Sequence, residues 1–313
     1  MHSKLLNIVF LILIANTGTA SAVNMTPSHV YQETERLLLD IKLLRATQNI
    51  NDGVRDPGVQ VNKTPLHVFA KALQVKEKIA LAQRKFDIEP GEVPIMPTKN
   101  IVPADVFQLV RSLRSDVDRI KNKLGAVASH SEPPFVSGKT PSHVYENLWR
   151  SSLLLDALVG SIKPAYVFRN TELILSEINQ IGKSIGADLN SPAPPSQENI
   201  KPKDVNLEAF KNLYRLARIE RKIDISRVKV PQFPATSISP ADVFETTYSM
   251  LAELARIKIK MNIITTPPDV RLVDNKSPAE VLVQMQLIGS KLVLLADIIE
   301  SPTIIKPLDA QEG

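Results

Sequence analysis

Cysteine is absent from the chain, which excludes disulfide staples, thiolate metal centres, iron–sulfur clusters and cysteine nucleophiles. Aromatic side chains are few, with 1 Trp, 5 Tyr and 9 Phe among 313 residues. That is too sparse for the stacked platforms that hold single-stranded nucleic acid. Glycine is scarce at 11 while proline reaches 23, a balance that suits helices parted by stiff connections. Neither sign of charge dominates: 38 Lys and Arg against 33 Asp and Glu leave a formal +5. With no recognition motif for it, nucleic acid is not expected as a partner. H-E-x-x-H, G-x-S-x-G and Gly-rich dinucleotide loops are missing too, so no enzymatic activity is expected.

The composition, 43% apolar and 23% charged, belongs to a folded protein of one or two domains. Residues 1–22 read as a secretory signal peptide. Lys4 is its basic start, Leu5 to Ile14 its apolar core, and Ala20-Ser21-Ala22 an A-x-A cleavage site before Val23. An apolar run of about 10 residues is too short to span a bilayer. The expectation is a periplasmic or secreted protein without a transmembrane anchor after cleavage.

Self-similarity dominates the rest of the chain. The unit is a small or polar residue, Pro, two variable positions, Val and usually an aromatic. It first appears as Thr26-Pro27-Ser28-His29-Val30-Tyr31 and Thr64-Pro65-Leu66-His67-Val68-Phe69. The prolines stand at 27, 65, 103, 141, 164, 202, 240 and 278, an interval of 38 broken once by 23. The short interval divides the chain into halves offset by 137 residues: Pro57 maps onto Pro194, Pro94 onto Pro231 and Pro97 onto Pro234. The implied organisation is a signal peptide at 1–22, module A at 26–162, module B at 163–300 and a C-terminal tail at 301–313.

Each unit opens as a helix, with a capping residue followed by Pro at the first helical position, where its missing N–H is no loss. Acids three residues after the cap (Asp105, Asp204, Asp242, Glu280) face the positive end of the helix dipole. Apolar positions then alternate at spacings of four and three. Unit three reads Val106, Val110, Leu113, Val117, Ile120, Leu124, and unit eight Val281, Met285, Ile288, Leu292, Leu295, Ile299. This heptad-like seam marks bundled helices of about 20–24 residues. Linkers of about 15 Pro-rich residues, extended at about 3.3 Å each, outreach a 22-residue helix of about 33 Å. They can therefore run back and let successive helices point the same way. Gly160-Ser161-Ile162-Lys163-Pro164 is too short to return, which predicts a tight antiparallel corner between helices four and five. The expected fold is all-α, with eight single-helix repeats arranged as two tandem four-helix modules. A continuous α-solenoid is the alternative.

Three candidate chemistries stand out. His29, His67, Asp105 and His143 all occupy the third helical position of their repeats. If four helices run parallel, these side chains share one end of the bundle, where imidazoles and a carboxylate suit a divalent metal such as Zn²⁺. The plainer reading makes them polar residues of helix starts. Ser137-Gly138-Lys139-Thr140 resembles the tail of a phosphate loop, but Pro133 stands where that motif needs Gly. Basic residues crowd the later turns, with Arg111, Arg114, Arg119, Lys121 and Lys123 in unit three, Arg215, Arg218, Arg221 and Lys222 in unit six, and Arg256, Lys258 and Lys260 in unit seven. They complement helix dipoles or meet an anionic partner. Trp149, beside Leu148, reads as a core or inter-module contact. The expected function is a binding or scaffold module for a protein or cell-envelope component, without a cofactor. The alternative is a small-ligand or metal carrier or sensor.

Overall fold

The computed structural model describes residues 24–126, 131–226, 229–233 and 237–300. The expected signal peptide and C-terminal tail lie outside the described residues, as does Pro234. Eight helices follow one another: α1 (Pro27–Thr47), α2 (Pro65–Lys85), α3 (Pro103–Leu124), α4 (Pro141–Val159), α5 (Pro164–Ser184), α6 (Pro202–Lys222), α7 (Pro240–Lys260) and α8 (Pro278–Glu300). Among the described residues there is no strand. The architecture is all-α, one helix per repeat, and each helix starts on its repeat proline.

The caps work as the residue types dictate. In α1, α2 and α4 a histidine Nδ1 accepts the backbone N–H of the capping threonine, at 3.2 Å for Thr26, 2.9 Å for Thr64 and 3.1 Å for Thr140. In α3, α6 and α7 a carboxylate does the same for Val102, Lys201 and Ser239. The N-cap N–H of each of these helix starts is answered in this way. The Val that follows each cap is no more than 2% exposed in all eight repeats. The seams pack as their periodicity requires: Val106, Val110, Leu113, Val117 and Ile120 are buried in α3, as are Val281, Met285, Ile288, Leu292 and Leu295 in α8. Leu124 and Ile299, at the ends of those seams, are half-buried.

Around the first bundle α1 packs on α3 and α4, and α2 packs on the same two; α5 to α8 repeat the pattern. The ring order is therefore α1-α3-α2-α4 and α5-α7-α6-α8, with α1 and α2, and α3 and α4, on the diagonals of the first ring. Pro27, Pro65, Pro103 and Pro141 meet with Val30, Val68, Val106 and Val144 around one narrow axial gap, so α1 to α4 all point the same way. In the second bundle, Asn170 Nδ2 on the second turn of α5 donates to Thr247 Oγ1 on the second turn of α7 at 2.9 Å. Arg218 near the end of α6 reaches Asp297 and Glu300 at the end of α8. Both bundles are thus parallel. Packing of α1 on α4 and of α5 on α8 closes each ring, which is not the open row of a solenoid, whose units pack only on their immediate neighbours.

Return linkers of 16 or 17 residues make this possible. Four of them begin and end on left-handed residues 13 positions apart: Asn49 and Asn62, Gly125 and Gly138, Gly186 and Asn199, Asn262 and Asn275. These pairs are related by the 137-residue offset, so the duplication is visible in backbone conformation. Side chains strap the linkers down. Arg45 donates to the Asp52 carbonyl, Arg119 to that of Glu89 and Lys291 to that of Leu189. The α4–α5 corner departs from expectation. Gly160 ends α4 at φ 85°, ψ −157°, a region open essentially to glycine. The chain turns there, but α4 and α5 are not among the helix pairs that pack. Instead α2 packs against α7 and joins the two bundles.

By length and composition alone α8 is apolar enough to cross a membrane. Its seam is occupied against α5 and α6. Gly289 of α8 makes room for α6 side chains: a Cβ there would stand 2.5 Å from the Arg215 guanidinium and 2.9 Å from Asn212 Oδ1.

Candidate functional site

The joint between the bundles is unusually polar. On α2 Lys71, Gln74, Lys76, Glu77, Lys78 and Gln83 are all buried, because this helix is covered by α3 and α4 on one side and by α7 on the other. Buried ions require partners, and most have them. Lys76 pairs with Asp116 at 2.5 Å, and Lys78 with Asp156. Glu77 accepts from both Arg169 of α5 and Tyr248 of α7, tying three helices together. Burial and the Glu77 charge push the Tyr248 phenol well above its ordinary range.

Beside this joint lies a cleft of about 460 Å³, within the size range of small-molecule sites. Its walls come from α2, α4, α6 and α7, and the α1–α2 and α6–α7 linkers close over it. Lys71 projects from α2, with Nζ 5.1 Å from the centroid of the Tyr145 ring and 5.0 Å from that of Trp149. The two rings meet edge to face at 6.0 Å. Cations over aromatic faces are favourable contacts. Glu245 Oε1 of α7 is 3.2 Å from Lys71 Nζ. Even so, burial outweighs Glu245 and lowers the Lys71 pKa. Among the described residues neither Lys71 Nζ nor Trp149 Nε1 has a hydrogen-bond partner, although both atoms are buried.

The structure separates the four candidate metal ligands by what lies beyond their caps. His29 sits against Phe135, ring centroids 5.0 Å apart. His67 is buried, and its Nε2 lies 2.9 Å from Glu253 Oε1 on α7. Asp105 pairs with Lys99 at 2.8 Å, and His143 is exposed. Their pyridine-type Nδ1 lone pairs and a carboxylate oxygen of Asp105 are spent on caps, and the shared axis is lined by Pro and Val. Among the described residues no three His, Asp or Glu side chains are grouped to hold a metal ion. Thr140 of the phosphate-loop resemblance is a helix cap.

The basic turns are largely committed within the fold. Arg114 binds Glu33 and Asp40, Lys121 binds Asp40 and Asp118, Arg256 binds Glu220 and Glu253, and Lys258 binds Glu177. The residues that form the cleft were not legible as a group, because Lys71, Trp149 and Glu245 are far apart in sequence. One signal was present: α2 carries Ala72 and Ala82 on its seam and Ala70 and Ala80 off it, small side chains on more than one face, as a helix enclosed by neighbours needs.

No protein-family model, curated protein or solved structure matches this chain.

Proposed function

We propose that this chain is an exported, non-enzymatic binding protein whose ligand seat is the cleft between its two parallel bundles. The observation that carries the reading is a cavity of about 460 Å³ at the joint, walled by both bundles and lined by Tyr145, Trp149 and Phe210 beside Lys63 and Lys229. Two rigid bundles meeting at one helix pair also make a natural cleft, as ligand sites favour the junctions of packed units. Native mass spectrometry of the protein recovered from its own compartment tests this. The expected spectrum shows a retained organic mass that leaves on denaturation, on a chain beginning at Val23. A bare chain that also takes up nothing from a small-molecule library defeats the reading.

A scaffold for a protein partner is the second reading. Its support is α6, where Leu207 and Tyr214, seven residues apart and so on one face, are 44% and 62% exposed. A second polypeptide in the same spectrum, lost on Tyr214→Ala, favours it.

A further inference from the structure

At the 137-residue offset α6 is the counterpart of α2, and the two hold the same place in their rings: α2 packs on α3 and α4, and α6 on α7 and α8. The first of them has a further neighbour, α7, which covers its remaining face. On that face Ala70, Gln74 and Glu77 are buried. Their counterparts on α6 are Leu207, Lys211 and Tyr214, and all three are exposed. The ridge that receives a helix in the first bundle thus stands open in the second.

Lys203, Leu207, Lys211, Tyr214, Arg218 and Arg221 follow one another along this ridge at spacings of three and four. Within the described helices the large apolar side chains left exposed are Leu207, Tyr214 and Val293, so two of the three belong to this row. Its cations are only partly matched. Lys211 shares Glu208 with Arg215, and Arg218 reaches Asp297 and Glu300. Neither Lys203 nor Arg221 has a carboxylate partner among the described residues. Asp204, beside the row, spends an oxygen on the α6 cap. A second copy of this chain does not suit the ridge. Where α7 offers Glu245 and Tyr248 to the joint, the corresponding positions of α3 expose Gln108 and Arg111, and cation would meet cation. A bilayer calls for a broad apolar face bordered by cations; here two apolar groups alternate with cations in a row one side chain wide, the form of a ridge that enters the groove of another helix.

We infer that the open face of α6 docks an acidic helix of a partner protein, whose carboxylates meet Lys203, Lys211 and Arg221 and whose apolar groups cover Leu207 and Tyr214. This rests on the scaffold reading above and is independent of the cleft. The joint supplies the pattern: there α7 brings Glu245 to Lys71 and Glu253 to His67 on the equivalent helix. Complementary charge selects the partner and speeds encounter, and a tyrosine near the middle of the row is the residue type that most often anchors such a contact.

Photo-crosslinking of the full chain in its own compartment decides the matter. A benzophenone-bearing phenylalanine analogue replaces Tyr214 or, in a second variant, Leu207, and exposed Lys42 on α1 is the control position. The expected result is a covalent adduct with a second polypeptide from both α6 positions and not from Lys42. Its linked segment carries Asp or Glu at helical spacings of three and four. Lys203→Glu combined with Arg221→Glu breaks no ion pair within the described residues and lowers the adduct yield about tenfold. Lys203→Gln with Arg221→Gln gives a smaller loss in the same direction, and decides the question should the charge reversals misfold. An adduct whose linked segment lacks acids, or a yield indifferent to these charges, overturns the acidic-helix assignment and leaves the scaffold reading standing. Adducts with lipid alone, adducts with a second copy of the chain, or no adduct at all overturn both.

Discussion

His67 Nε2 and Glu253 Oε1 lie 2.9 Å apart across the joint between the bundles. Because Nδ1 of the same ring accepts the Thr64 N–H at 2.9 Å, the ring proton resides on Nε2 and is donated to the carboxylate. One side chain therefore caps α2 and fastens it to α7.

Replacing His67 should cost more than replacing its repeat counterparts. His29→Ala removes a cap alone, worth about 1 kcal/mol. His67→Ala removes a cap and a buried hydrogen bond to a charged group, and about 2–4 kcal/mol is expected. Urea unfolding of the two variants measures the difference. Equal losses would mean that the Glu253 contact contributes nothing.

Acid should loosen the joint. Burial raises the pKa of Glu253, but His67, Glu220 and Arg256 outweigh burial and hold its carboxyl at about 2 against an ordinary 4.5. The unfolded chain then binds this proton first, so the stabilisation is complete above about pH 4.5 and is lost as pH falls towards 2. Glu280, hydrogen-bonded to Ser277 and Lys276 at an exposed helix start, is also held at about 2. Salt screens that surface group and spares the buried one. Urea midpoints between pH 6 and pH 3 in high salt should fall for the wild type and fall less steeply in Glu253→Gln.

The three-helix tie at Glu77 gives graded losses. Tyr248→Phe removes one donor and should cost about 1–2 kcal/mol. Glu77→Ala leaves Arg169 without its carboxylate in a largely buried place and should cost about 3–5 kcal/mol. Thermal melting of both variants checks the order.

Gly160 is the corner on which the two halves turn. Its φ of 85° and ψ of −157° lie where an L side chain is strained, and Gly160→Ala should cost about 1–3 kcal/mol. Nothing lies within 4 Å of an added Cβ there, so the loss would report backbone conformation alone. An unchanged unfolding midpoint would show that the corner relaxes freely.

The helices, their starts and their common direction were legible in the sequence because each rests on local chemistry. Proline at the first helical position, a capping side chain and a seam at alternating spacings act within one repeat, and linker length bounds direction through reach alone. The site was not legible for the opposite reason. Lys71 and Glu245 belong to different halves, and only the packing of α2 on α7 brings them together. The N3 histidines show the same limit. They share a position in the repeat, yet His29 meets Phe135, His67 meets Glu253 and His143 meets solvent. Their caps were predictable, and what lies behind the ring was decided by tertiary structure.

Placing sequential helices on the diagonal has a kinetic consequence. When α1 and α2 have both emerged during synthesis they share no face, and α1 finds its first neighbour only with α3, 76 residues after its own start. The sequential pairs that do pack, α2 with α3 and α6 with α7, do so in parallel across a return linker, so early folding lacks the short-range hairpin contacts that make most helical bundles fast. Closure waits for the fourth helix. Four units are the smallest length that closes the ring within one chain, and four is the length that recurs at the 137-residue offset.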